Sequence, residues 1–169
     1  PRIERQVEQH GDFASDAEMA EAVGPIAGHL EVDLPIVADA LGGLLPAETT
    51  DLIAGLRHEP ICSVYLQYDE DVRLPQAMIG MEGGLAHWAF DRGALCAQHG
   101  LIGVVISASG AHESMPHAAL AATVAAELRG LFPRLPAPRW HKVVLEKRAT
   151  FACTPDLRRP DQRTAVAGL

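Results

Sequence analysis

The chain has 169 residues, enough for one domain with a substantial core. Its formal net charge of -8 argues against nucleic acid as a partner, because phosphate binding needs a basic face. The three cysteines are far apart and form no CxxC pair, so the sequence predicts neither a disulfide framework nor a metal site, and we expect a cytoplasmic protein.

Residues 1–56 predict a helical N-terminal segment. The stretch "SDAEMAEAVGPIAGHL" opens with a capping-box pattern at Ser15 and Glu18 and repeats apolar residues at helical spacing. The following "LEVDLPIVADALGG" leaves two interpretations open, a helical stripe or a short strand entering a loop, and we favour the helix. A short helix over "TTDLIAGL", with Thr49 or Thr50 as its N-cap, completes the segment.

Residues 57–169 predict a sheet with one long helix. Alternating or continuously apolar patterns indicate strands in "ICSVYLQYD", "AMIGMEGG", "LAHWAFD", "GLIGVVISASG" and "RWHKVVLEKRATF". The Gly83-Gly84 pair supplies the tight turn of a hairpin. The stretch from Pro116 to Phe132 carries apolar residues at helical spacing. The predicted class is α+β, with a mixed or antiparallel sheet of about five strands and the long helix on one face.

The predicted hairpin "GGLAHWAFDRG" places a His, a Trp, a Phe and an Asp-Arg pair within a few positions. Strand alternation places Trp88 and Phe90 on one face, and we expect Tyr65 to share it. Two interpretations stay open: ordinary core packing, which is the commoner fate of such aromatics, and an apolar wall for a ligand. The sequence does not indicate a metal site, a hydrolase nucleophile or a nucleotide-binding loop. It has no HxxxH pair, no GxSxG elbow and no GxGxxG or GxxxxGK phosphate loop.

Three stretches resemble a known family. "EPICSVYLQYDEDVRLPQAMIGMEGGLAHWAFDRG", "GLIGVVISASGAH" and "VVLEKRATFACTPDLRRP" are similar to the substrate domain of squalene-associated FAD-dependent desaturases. These are relatives of phytoene desaturases and flavin amine oxidases, and bacterial members are assigned as hydroxysqualene dehydroxylases in hopanoid biosynthesis. The resemblance extends from about Leu52 to Leu169, and the combination of "HWAFDRG" with "EKRATFACTP" carries its specificity.

The chain also departs from that family. Family members begin with a glycine fingerprint that binds FAD and end with a Gly-Asp segment that closes on the flavin; this sequence has no such fingerprint, and no Gly-Asp segment follows "EKRATFACTP". We therefore expect a truncated or excised substrate domain that binds no FAD on its own, although the parent enzyme would use FAD. A free-standing lipid-binding or dimerisation domain is the alternative.

The resemblance implies a substrate and a set of site residues. The substrate would be an apolar isoprenoid such as hydroxysqualene, to which reduced FAD delivers hydride as hydroxide leaves. His87 and Asp91 are the nearest polar candidates for protonating the leaving group. The resemblance leaves open peripheral contact of the parent enzyme with the inner membrane, and self-association through an exposed apolar face. The residues implied in substrate binding are Tyr65, Trp88, Phe90, Thr150, Phe151 and Pro155.

Overall fold

A computed structural model describes residues 43–161 of the chain. The predicted helices of the N-terminal segment before residue 43 lie outside the described residues. The described elements, in chain order, are α1 (Ala47–Ala54), β1 (His58–Gln67), β2 (Met78–Gly80), β3 (Trp88–Asp91), α2 (Arg92–Cys96), β4 (Leu101–Ser107), a short helical turn (Ala111–Ser114), α3 (His117–Leu131) and β5 (Trp140–Phe151).

The strands form a single five-stranded sheet in the order β2-β3-β4-β1-β5, and every neighbouring pair is antiparallel. This confirms the predicted α+β class and selects the antiparallel alternative. The predicted N-cap of the short first helix is wrong, because α1 begins at Ala47 and Pro46 occupies the cap position. The Thr50 hydroxyl instead donates a hydrogen bond to the Pro46 carbonyl at 3.4 Å.

Helix α3 packs on one face of the sheet, which we call the covered face. Its buried residues Leu120, Val124 and Leu128 recur every four positions and therefore lie along one side of the helix. They join a core with Val64 of β1 and Val104 of β4, which lie opposite one another in the sheet. In the described part of the chain, no helix has the length and apolar composition needed to cross a membrane.

All three cysteines are free thiols, but they differ in exposure to solvent. Cys62 is buried on the covered face, whereas Cys96 and Cys153 are exposed. Burial raises the pKa of the Cys62 thiol to about 11, because the thiolate would lose its hydration. The reactive thiolate of Cys62 is therefore scarce at neutral pH, and the surrounding core also blocks access to it.

This difference predicts a thiol-labelling pattern. At neutral pH a chromogenic disulfide reagent should react rapidly with Cys96 and Cys153 in the native chain, and with Cys62 only after unfolding in denaturant. Mass spectrometry of the labelled peptides identifies the modified positions. Native labelling of Cys62 at the rate of the other two would contradict the burial of β1 under α3.

Candidate functional site

The face of the sheet opposite α3, which we call the open face, brings the predicted aromatic residues together. Gly103 of β4 lies between Tyr65 of β1 and Phe90 of β3 in the hydrogen-bonded register, and Trp88 lies opposite Val105. Residues directly opposite one another in a sheet point to the same side, and successive residues along a strand point to opposite sides. The register also places Met78, Trp140 and Val144 on this face.

Trp88 forms a flat apolar platform at the β2–β3 end of the open face. A Cβ atom built on Gly80 would lie 3.4 Å from the Trp88 ring. The indole therefore lies across β2 at a position that has no side chain. Trp88 remains 43% exposed and its neighbour Met78 54% exposed. Core packing therefore does not describe Trp88, and adjacent exposed apolar side chains are typical of a binding surface.

Tyr65 occupies the inner part of the open face. Its ring lies against Gly103, with Cε1 3.5 Å from the point where a Cβ atom would stand, and the Arg92 Cδ lies 3.6 Å from the same point. Burial raises the pKa of the Tyr65 hydroxyl, while a hydrogen bond with Ser63 and the charge of Arg92 act in the lowering direction. The net shift is upward, so Tyr65 is a neutral phenol that can donate a hydrogen bond at neutral pH.

His87 ties the β2–β3 loop to β4. Its Nδ1 accepts a hydrogen bond of 3.0 Å from the Ser107 backbone N–H, which requires that nitrogen to be unprotonated. The His87 backbone N–H also donates to the Val105 carbonyl at 3.0 Å. The side chain is exposed, and its contact is with the backbone of β4.

Asp91 does not face the site, which corrects its assignment as a proton donor. It pairs with Ile102 and is 2% exposed, on the covered side of the sheet. Its Oδ2 accepts a hydrogen bond of 2.8 Å from the Leu74 N–H, and its Oδ1 caps α2 by accepting one of 3.0 Å from the Ala94 N–H. Both carboxylate oxygens therefore stabilise local backbone, as is common for Asp at an N-cap.

Thr150, Phe151 and Pro155 lie apart from the aromatic residues of the open face. Phe151 pairs with His58 at the far end of β1, and the Arg159 guanidinium lies 5.4 Å from the centre of its ring. Strand β5 is three strands away from β3, which separates them by roughly 14 Å across the sheet before any displacement along the strands is added. These three residues do not form one surface with Trp88.

Glu127 of α3 holds the loop that leads into Trp88. Its two carboxylate oxygens accept hydrogen bonds from the backbone N–H groups of Leu85 and Ala86 at 2.9 and 3.0 Å. A Cβ atom on Gly84 would come within 2.5 Å of this carboxylate, so a side chain there would displace the Glu127 carboxylate from the position seen here. The sequence gives no signal for this contact, because its partners are more than forty residues apart in the chain.

The described residues contain no candidate metal site. No group of His, Cys, Asp and Glu side chains in residues 43–161 could hold a metal ion. The sequence has no glycine-rich phosphate loop, and the open face could offer at most one wall to a flavin ring. That this chain alone binds no FAD stays a prediction from the sequence.

Comparisons with known proteins point to the fold. No protein-family model matches the chain, and no curated protein matches it. A solved structure of similar fold is that of a protein from Exiguobacterium sp. 255-15 named "putative protoporphyrinogen oxidase", with a TM-score of 0.54 and 13% sequence identity. The match covers 73% of this chain and 29% of that protein, so the chain spans less than a third of its length. At this identity the likeness establishes the fold alone.

The Glu127 contact predicts a measurable loss of stability. Replacing Glu127 with Ala should lower the free energy of unfolding by about 1–3 kcal/mol, because two backbone N–H groups lose a charged acceptor. Glu127→Gln keeps one oxygen and should lose less. Urea unfolding followed by tryptophan fluorescence measures the change, with Glu82→Ala as the control at an exposed position of the same loop. Equal stability of the Glu127→Ala and Glu82→Ala variants would contradict the contact.

Proposed function

We propose that residues 57–169 form the substrate domain of an FAD-dependent oxidoreductase whose substrate is hydroxysqualene or a related apolar isoprenoid. The observation that carries the proposal is the open face, where Trp88 and Met78 stay exposed beside Phe90. Two further observations support it. The sequence resembles such substrate domains, and the structural neighbour bears the name of an oxidase.

An exposed apolar wall suits an isoprenoid for a simple physical reason. A long hydrocarbon chain offers almost nothing to hydrogen-bond, so its affinity must come from burial at roughly 25 cal/mol per Å² of apolar surface. The six-membered ring of the Trp88 indole, which lies over Gly80 of β2, and the flexible Met78 beside it supply such surface.

In this proposal the described residues bind and orient the substrate and exclude water from it. The sheet supplies one wall of an apolar tunnel, and FAD is held by another part of the parent enzyme. His87 and Glu127 act as positioning residues, because their contacts fix the loop that precedes the Trp88 platform.

Replacement of Trp88 tests the proposal. We expect purified chain to bind hydroxysqualene supplied in mild detergent, measured by equilibrium partition of labelled ligand. Trp88→Ala should raise the Kd about tenfold, because it removes the largest exposed apolar surface of the platform. Leu131→Ala is the matched control, since Leu131 is 55% exposed at the end of α3, away from the open face.

Two results would contradict the proposal. One is an absence of binding together with a dimer that Trp88→Ala converts to monomer in sedimentation velocity, which would assign the face to self-association. The other is stoichiometric, sub-micromolar binding of FAD to the isolated chain, which would require a cofactor site within it.

A further inference from the structure

A cavity of about 280 Å³ lies between helix α3 and the start of strand β5, and we call it the α3–β5 groove. His141 of β5 lies opposite Leu66 of β1 in the register, so the groove is on the covered side of the sheet. Alanines from successive turns of α3 form one wall, and Ala118 and Ala122 among them are exposed. Small apolar side chains on an exposed helix face let a second segment approach closely.

The rim of the α3–β5 groove is basic. Arg129 lines the groove, and its guanidinium group makes no hydrogen bond or ion pair with another residue of the described range 43–161. Residues 128–145 run from the last turn of α3 into β5, and they contain four basic residues and no Asp or Glu. An apolar wall with a basic rim fits a segment that presents apolar and acidic side chains together.

The N-terminal part of the same chain has this complementary composition. Residues 1–42 contain nine acidic and two basic residues, so they carry a net charge of -7 out of -8 for the whole chain. Within them, "SDAEMAEAVGPIAGHL" at residues 15–30 combines three acidic residues with apolar residues at helical spacing. The chemistry of this segment matches both the alanine wall and the basic rim.

The connection between this segment and the described fold is long enough to reach the groove. His58 and Leu66 are the start of β1 and its position beside the groove, and they are about 27 Å apart along the strand. The twelve residues 31–42 can span about 40 Å when extended, which equals this distance together with the length of α1. Attachment to the same chain also raises the effective concentration of the segment to about the millimolar range, so a weak contact is sufficient.

We propose that residues 15–30 of this chain dock in the α3–β5 groove, with their apolar side chains on the alanines of α3 and an acidic side chain paired with Arg129. Burial of apolar surface supplies most of the affinity, because an exposed ion pair contributes little on its own. The groove lies on the covered side of the sheet, whereas the proposed substrate surface is the open face. The docking is therefore independent of the proposed function.

Hydrogen–deuterium exchange with mass spectrometry on the full 169-residue chain tests the docking. Amides of residues 15–30 should exchange at least tenfold more slowly than in a free peptide of that sequence. Ala122→Glu adds a negative charge to the groove wall and should raise their exchange close to the peptide rate. Arg129→Gln should raise it about two- to fivefold, as expected for an exposed ion pair. Ala126→Glu is the matched control, since Ala126 is exposed on the same helix outside the groove lining, and it should change nothing.

The same spectra show whether each variant is folded, because the amides of β4 must stay protected. Exchange at the peptide rate in the wild-type chain would overturn the docking, as would equal exchange in Ala122→Glu and Ala126→Glu. A photo-reactive benzoylphenylalanine placed at Ala118 identifies the occupant directly. It should cross-link to residues 15–30 within one chain. Cross-links between two chains in their place would assign the groove to a second copy and overturn the proposal.

Discussion

The packing of α3 on one face of an antiparallel sheet is the constraint on which the rest of the structure depends. Leu120, Val124 and Leu128 bury the covered face, and strand alternation sends every second side chain to the other side. The aromatic residues of β1 and β3 therefore stand together where α3 does not reach. The exposed surface at Trp88 follows from the same alternation that builds the core.

Two glycines of the open face, which carry no side chain, let aromatic rings lie close to the backbone of the sheet. Gly80 lets the Trp88 indole lie across β2, and Gly103 lets the Tyr65 ring and the Arg92 stem approach β4. A Cβ atom at Gly80 or Gly103 would stand 3.4 or 3.5 Å from the ring, in ordinary van der Waals contact, so alanine fits at both positions. The face thus has an exposed apolar part at β2–β3 and a more enclosed part around Tyr65.

Strands and faces could be predicted from the sequence because they depend on local alternation. The pattern of "ICSVYLQYD" and "HWAFD" is sufficient to place Tyr65, Trp88 and Phe90 on one face once the strands pair. The role of Asp91 could not be predicted, since its partners Leu74 and Ala94 are fixed by a loop and a helix start. Glu127 was missed for the same reason. Thr150, Phe151 and Pro155 are site residues only by the resemblance to the family, and local patterns do not give the strand order that separates them from Trp88.

The central claim is that α3 covers one face of the sheet and that Met78 and Trp88 form an apolar patch on the other face that is accessible from solution. Hydroxyl-radical footprinting with mass spectrometry tests this claim most directly, because it reports side-chain accessibility residue by residue. The account predicts rapid oxidation of Met78 and Trp88 and protection of Tyr68 and Leu128, with protection lost on unfolding. Protection of Met78 and Trp88 to the level of Leu128 in the native chain would contradict it.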